Sequence, residues 1–345
     1  MKKSLYLLAA LSLLGTNVFA KEVVAEPVVE TSKEVIVEPV VVIEEVAAPA
    51  WSFGARTYLE TEDFDNGSTI SGGDDEDGTF WGVGVSATKG KLTLDLNVER
   101  RFGGDLSLSK SDAEWESTRV DYKVRYQLFE KQAFHLKYRN ETRVRDFSRD
   151  TYHSDWTRDR YELGTDFNHF NGLLAGWLVA GLDRDKSSDE GKATSRDNGW
   201  YWEGDFGPSF KLTDKLSFNP TLFTTGEMYD SYEMVETQIR IMMPYQATDK
   251  LTIMPRVRFT LDRTQDAKWN GDYIEQYQNK AGDRIRYELM ANYVFNDQLS
   301  TFVGVAYESN TRTYKNDDKL FDWTPANGDH DIDLIWAYAG LNYRF

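Results

Sequence analysis

Charged side chains recur at every second position in several segments of this 345-residue chain. Residues 119–125 read RVDYKVR and residues 284–289 read RIRYEL, so charged residues alternate with valine, isoleucine, tyrosine and leucine. Rows of cations and carboxylates can attract, repel or orient charged solutes when one structural element places them on a common face. The function therefore depends on which element positions these rows.

A β-strand meets this requirement, because successive side chains of a strand point to opposite faces. In residues 91–99 (KLTLDLNVE), leucine and valine occupy one face, and threonine, aspartate, asparagine and glutamate occupy the other. A helix would scatter both sets around its circumference. The alternation predicts fourteen antiparallel strands, at residues 51–62, 79–89, 91–101, 115–128, 133–145, 158–169, 173–184, 199–212, 216–225, 232–246, 251–263, 283–296, 299–311 and 332–345.

The predicted connections alternate between short turns and long loops. The long loops are 63–78, 102–114, 146–157, 185–198, 264–282 and 312–331, with one shorter connection at 226–231. Transmembrane β-barrels show this asymmetry, with the short turns on the periplasmic side. Because lipid leaves no backbone group unpaired, a spanning sheet must close on itself. We therefore predict an all-β fold, a transmembrane antiparallel β-barrel of fourteen strands in the bacterial outer membrane.

A soluble β-sandwich is the structural alternative, since its strands also alternate. Sandwich strands are typically about five or six residues long. Many of the strands predicted here are longer, near the roughly nine to eleven residues of a tilted membrane strand. Strand length therefore favours the barrel.

The two ends of the chain carry signals for export and assembly. Residues 1–20 combine two lysines, an apolar stretch and a terminal Ala20, as a signal peptide does. Residues 21–50 repeat EVVAEPVV as EVIVEPVV, which predicts a disordered periplasmic tether before a barrel at 51–345. The last strand places Leu341, Tyr343 and Phe345 on one face. This ending resembles the signal by which the barrel assembly machinery recognises outer-membrane proteins.

The leader is followed by Lys21-Glu22-Val23, a Glu/Val/Pro-rich tether and the junction VAAPAW at 46–51, and the chain ends in Arg344-Phe345. In these features it resembles the fusobacterial major outer-membrane porin family, often called FomA-like. Over the barrel the similarity is one of pattern, so no site residue is carried across. The resemblance implies passive diffusion through the barrel and, in some members, adhesion through surface loops.

Composition argues against several other functions. The formal net charge is −17, and −19 once the two leader lysines are removed, which is unfavourable for binding nucleic acid. The chain has no cysteine, so disulfides, thiolate metal sites and cysteine nucleophiles are excluded. Residues 63–74 begin like a calcium loop but carry Ser68 and Asp74 where glycine and glutamate are required. We expect neither a metal nor a cofactor.

The four histidines, His135, His153, His169 and His330, do not predict an active site. His153 and His330 have serine or aspartate neighbours in predicted loops, where sequence neighbours seldom form a catalytic set, while His169 lies in a turn and His135 among basic residues. We therefore do not expect an enzyme. Aromatic residues cluster near both ends of the strands, as interfacial girdles do. Trp200, Trp202 and Tyr58 are the candidates for stacking sugars inside a pore.

Side chains opposite the apolar face should line the pore. The predicted pore-lining residues are Arg119, Lys123, Arg125, Lys137, Arg139, Arg143, Arg145, Arg158, Arg160, Arg240, Arg256, Arg258, Arg284, Arg286, Glu141, Glu162 and Glu288. On the fourth to sixth strands they predict a positive wall, with acidic residues interleaved. The later arginines face Glu236, Asp262 and Glu288. Two roles stay open, namely ion selectivity and mutual neutralisation.

The sequence thus predicts a porin that lets small hydrophilic solutes and ions diffuse passively. A surface adhesin that uses long acidic loops on a barrel anchor is one alternative, and a substrate-specific channel for anions or acidic saccharides is another. The expected partners are outer-membrane lipid, lipopolysaccharide and the barrel assembly machinery through Phe345. A homotrimer and cell-surface partners of the loops are left open.

Overall fold

The computed structural model describes residues 50–65, 78–103, 115–147, 152–189, 195–269, 272–315 and 327–345. The predicted signal peptide, the predicted tether up to residue 49 and most of the calcium-like segment lie outside these residues. No helix in the described ranges is long and apolar enough to span a membrane.

The described residues form one antiparallel sheet that closes on itself. Its fourteen strands are β1 Ser52–Asp65, β2 Gly78–Lys89, β3 Leu92–Gly103, β4 Trp115–Phe129, β5 Gln132–Phe147, β6 Tyr152–His169, β7 Leu174–Asp189, β8 Ser195–Gly207 with Phe210–Lys211, β9 Ser217–Tyr229, β10 Tyr232–Met242 with Tyr245–Gln246, β11 Leu251–Trp269, β12 Asp272–Asn279 with Arg284–Val294, β13 Leu299–Tyr314, and β14 Gly328–Asp331 with Asp333–Arg344. Closure is made by β14, which pairs with β1 from Gly54↔Arg344 to Asp65↔Asp333. The prediction of a fourteen-stranded barrel is confirmed.

Several strands are longer than the sequence predicts. Strand β6 begins at Tyr152, inside the predicted loop 146–157, and it pairs with β7 as far as Ser154↔Asp189. Strands β11 and β12 likewise replace most of the predicted loop 264–282. In these extensions the backbone pairing continues, but the sequence no longer alternates regularly between apolar and polar residues. Apolar alternation therefore underestimated the length of these hairpins.

Large apolar residues cover the outside of the barrel, and charged residues fill its inside. Leu136 and Leu163 are 64% and 58% exposed, whereas the neighbouring charged residues Glu141 and Glu162 are only 3% and 7% exposed. A soluble sandwich would bury the leucines between two sheets. The closed sheet with its apolar face outward rules out that alternative.

A β-bulge in β11 corrects one sequence expectation. Thr237 pairs with Asp262 and Gln238 with Thr260, so Leu261 has no partner on β10. One extra residue reverses which side chains point inward beyond it. Asp262 is therefore exposed on the outside, and Arg263 replaces it in the interior opposite Glu236.

An apolar core lies inside the barrel along one side. Met254 of β11, Met290 of β12, Trp336 and Tyr338 of β14 and Tyr58 of β1 are all buried in one cluster. These side chains come from neighbouring strands and pack on one another. The inner face of β11 to β14 and β1 therefore carries packed apolar side chains as well as charged ones.

Candidate functional site in the barrel interior

The predicted pore-lining residues lie on the inner face of the barrel. Except for Arg145, whose side chain lies outside the described residues, all of them are buried or half-buried on the face opposite the exposed apolar residues. Lys123 lies opposite Asp95 in register. Arg143 stacks on Trp115 and Trp156, with its guanidinium carbon 4.4 and 5.5 Å from the two ring centroids. Alternation alone therefore located the interior face.

On β4 to β7 the cations and carboxylates form a lattice of ion pairs, here named the paired lattice. Its pairs are Arg119 with Glu141, Arg125 with Asp166, Lys137 with Glu162, Arg139 with Asp121, Arg158 with Asp185, and Arg160 with Asp183. These six cations are matched by six different carboxylates, although Arg101 also lies 3.6 Å from Glu141 and Arg158 lies 3.7 Å from Asp183.

Arg139, Arg158 and Arg160 of the paired lattice bind their carboxylates through two nitrogens. Arg139 donates from Nε and Nη2 to the two oxygens of Asp121 at 2.6 and 2.9 Å. Arg160 does the same with Asp183, at 2.7 and 2.5 Å. Fork-to-fork pairing of this kind fixes both groups and neutralises their charge locally. Six of the nine cations predicted on the fourth to sixth strands are therefore paired with carboxylates.

Sequence reasoning missed two carboxylates of this lattice. Asp183 and Asp185 both lie on β7 and alternate with Leu182 and Arg184, so the rule applied to the other strands identifies them as interior residues. Both are buried, and Asp183 also accepts a hydrogen bond from Tyr229. Including them would have balanced the arginines of the sixth strand.

On β11 to β13 four arginines share two carboxylates, whereas Arg240 of β10 binds Asp205 of β8 at 2.9 Å. Arg256 and Arg258 both bind Glu288, at 2.7 and 2.9 Å. Arg284 and Arg286 likewise both bind Glu308, at 2.7 and 2.6 Å. Glu308, which the sequence analysis did not single out, is buried on β13. This wall carries more positive than negative charge around these two carboxylates, although Arg284 also binds Glu236.

Three of these arginines lie side by side. Arg240 of β10 is directly opposite Arg258 of β11, and Arg258 is directly opposite Arg286 of β12. Here these three residues are named the arginine row. Like charges directly opposite one another in a sheet are unfavourable. The row is thus a local concentration of positive charge, although Asp205, Glu288 and Glu308 each bind one of its members.

Aromatic rings lie against the arginine row. The guanidinium carbon of Arg240 is 3.3 Å from the ring centroid of Phe223, and that of Arg286 is 4.4 Å from Trp336. Arg258 lies 5.4 Å from the same tryptophan. Rings attract the faces of guanidinium groups and limit their rotation. The row is therefore held in place by aromatic packing as well as by carboxylates.

Of the three aromatic residues predicted to stack sugars, only Tyr58 faces the interior. Its hydroxyl donates to Glu99 at 2.6 Å and accepts from Asn97 at 3.0 Å. Trp200 is 51% exposed on the outer face, and Trp202, two residues along the same strand, shares that face. The expectation of pore stacking is wrong for these two tryptophans, whose position suits an outer girdle.

His135 lies within the paired lattice and contacts one of its carboxylates. Nε2 of His135 lies 3.0 Å from Glu162, which also binds Lys137 and accepts from Tyr201. Among the described residues, no group of three or more histidine, aspartate or glutamate side chains is arranged to hold a metal ion. The polar side chains of the described interior are organised mainly as ion pairs.

Comparisons with known proteins identify the fold alone. No family model matches the chain, and no curated protein matches it. Among solved structures, the CymD monoaromatic hydrocarbon channel is similar at a TM-score of 0.50 and 8% identity, covering 86% of this chain and 89% of CymD. A FadL homologue of Pseudomonas aeruginosa gives 0.46 and 10%, covering 85% and 90% of the two chains.

The P. putida toluene transporter TodX is similar at a TM-score of 0.45 and 10% identity, covering 87% of this chain and 90% of TodX. These identities are too low to carry a function or a site from one chain to another. The resemblance to the fusobacterial porin family stays a prediction. The chain has the fold of the outer-membrane β-barrels.

Proposed function

We propose that the protein is a channel of the bacterial outer membrane through which small hydrophilic solutes and ions diffuse passively. The observation that carries this proposal is the inversion of the barrel, with charged side chains inside and large apolar side chains outside. Each face supports one part of the proposal.

The outer face suits lipid. Leu136, Leu163, Leu182 and Leu289 are 52–64% exposed on four different strands. Removing apolar surface from water is favourable by about 25 cal/mol per Å². Soluble monomers consequently keep contiguous apolar patches to a few hundred Å². A barrel covered by such residues is most stable with hydrocarbon around it.

The inner face suits water and ions. The side chains of Arg139 and Asp121, though paired, retain 13% and 15% exposure, so they border interior space that water can occupy. A fourteen-stranded barrel is wider than the eight-stranded class that side chains fill. Charged walls favour hydrated solutes over apolar ones. The predicted pore-lining residues therefore belong to the permeation path in this proposal, and a known channel, CymD, shares the fold.

The proposal includes the surroundings predicted from the sequence. Outer-membrane lipid and lipopolysaccharide would contact the apolar face, with the tether in the periplasm. The exposed Phe345, whose backbone N–H donates to Phe53 at 3.0 Å, would be available to the barrel assembly machinery. Assembly as a homotrimer would use part of the same apolar face.

Planar-bilayer recording of the refolded chain without its predicted signal peptide tests the proposal. We expect discrete conductance steps that increase with KCl concentration. Folding is checked separately by the heat-dependent migration of the barrel in SDS gels. Silent bilayers from a preparation that is folded by this criterion would overturn the channel.

A further inference from the structure

Cations also face each other in the paired lattice, where Lys123 lies opposite Lys137 and Arg139 opposite Arg160, but the arginine row extends over three strands. Neighbouring strands lie about 4.8 Å apart, so the three opposed residues repeat at roughly that spacing across β10 to β12. Such a row is stabilised by any anion that contacts two or three of its members together.

The carboxylates of the protein leave donors of the row unused. Arg258 donates from Nη2 to Glu288 at 2.9 Å, while its Nε is buried without a partner. Both oxygens of Glu288 also accept from Arg256, at 2.7 and 2.9 Å. A single carboxylate thus serves two guanidinium groups. Arg258 therefore has hydrogen-bonding capacity that Glu288 does not meet.

The two outer members of the row also keep free donors. Arg286 donates from Nε to Glu308, and Arg240 donates from Nε to Gln238 and from Nη1 to Asp205. Within the described residues, both Nη groups of Arg286 and Nη2 of Arg240 make no hydrogen bond. Guanidinium groups donate in their own plane, so rings against their faces leave these N–H groups available. The row therefore presents several oriented donors.

We infer that the arginine row binds solutes that carry two or more oxyanions, such as di- and tricarboxylates, during passage through the channel. The inference rests on the proposed function and adds a class of solute to it. Arginines on three neighbouring strands with unused N–H donors match several oxyanions on one solute better than they match chloride. Inorganic phosphate, a compact oxyanion, spans fewer members of the row and binds less tightly.

Citrate and inorganic phosphate are the probes, added separately to single channels of the full barrel in KCl. We expect citrate to reduce the current in a saturable way at lower concentrations than phosphate. Arg258→Gln should raise the half-blocking concentration of citrate at least about tenfold, because a tenfold change in affinity corresponds to the loss of about one charge-assisted hydrogen bond. Arg258→Lys should restore part of the block, because it returns the charge without the fork.

Arg139→Gln is the matched control, since it removes one positive charge from the paired lattice. We expect it to change the half-blocking concentration much less than Arg258→Gln does. Equal changes in both variants would show a general lumen potential and overturn the site, as would an absence of citrate block in a conducting channel. Phosphate block stronger than citrate block would overturn the multivalent class. A folded barrel without conductance would instead contradict the proposed function.

Discussion

Two regions of the barrel interior use the same residue types in opposite ways. In the paired lattice of β4 to β7, Arg139 and Arg125 each have a carboxylate of their own. Around the arginine row of β10 to β12, Glu288 serves two arginines. Arginine content alone therefore says little about the local potential. The number of carboxylates within reach of each arginine decides whether a wall is neutral or positive.

The largest expected effect comes from removing the shared carboxylate. The side chain of Glu288 has no exposed surface and binds Arg256, Arg258 and the hydroxyl of Tyr338. Glu288→Gln leaves two half-buried guanidinium groups without their counter-charge, a loss approaching the roughly 3–5 kcal/mol of a broken buried pair. Urea unfolding in detergent measures it. Asp121→Asn, which strands only Arg139, is the control and should cost less; an equal or larger cost would contradict the comparison.

Removing a single cation should change the free energy of unfolding in opposite directions in the two regions. Arg139→Gln leaves Asp121 without its bidentate partner and should cost about 1–3 kcal/mol. Arg258→Gln leaves Glu288 bound to Arg256 and removes repulsion from Arg240 and Arg286, so stability should stay the same or rise. The same urea transitions give both values. A larger loss for Arg258→Gln than for Arg139→Gln would show that the arginine row is already fully compensated.

Ion selectivity should follow the arginine row. In a KCl gradient, Arg258→Gln should move the reversal potential towards cation preference, because the wall becomes less positive. The double variant Asp121→Asn with Arg139→Gln removes a complete pair and should leave the reversal potential unchanged. A marked shift in the double variant would assign selectivity to the paired lattice. That result would restore the wall first predicted on the fourth to sixth strands.

The sequence predicted the strands because each strand has one apolar face, which is recognisable as apolar residues at every second position. It predicted the interior residues by the same rule, and Asp183 and Asp185 were within its reach. The end of the apolar pattern hid the extension of β6 to Tyr152, since backbone pairing continues there without apolar side chains. The bulge at Leu261 moves Asp262 to the outside. The residues that precede it alternate regularly, so the sequence did not predict it.

The arginine row was beyond sequence reasoning for a different reason. Arg240, Arg258 and Arg286 were each predicted to face the pore, but their alignment depends on the register of three strands. Register is set by turn geometry and by pairing around the whole barrel. Which carboxylate each arginine reaches follows from that register. The residues were therefore predictable, and the charge balance among them was not.

The smallest expected effect concerns an ion pair outside the lumen. Nζ of Lys211 lies 2.8 Å from Asp214, a distance close to that of Arg256 and Glu288, but the two side chains are 68% and 97% exposed. Lys211 lowers the pKa of Asp214 through its hydrogen bond and charge. Water screens such a pair, so Lys211→Gln should leave the urea midpoint unchanged at low salt and in 1 M KCl. A measurable loss there would mean that distance outweighs burial, and the contrast between the arginine row and the paired lattice would then need another cause.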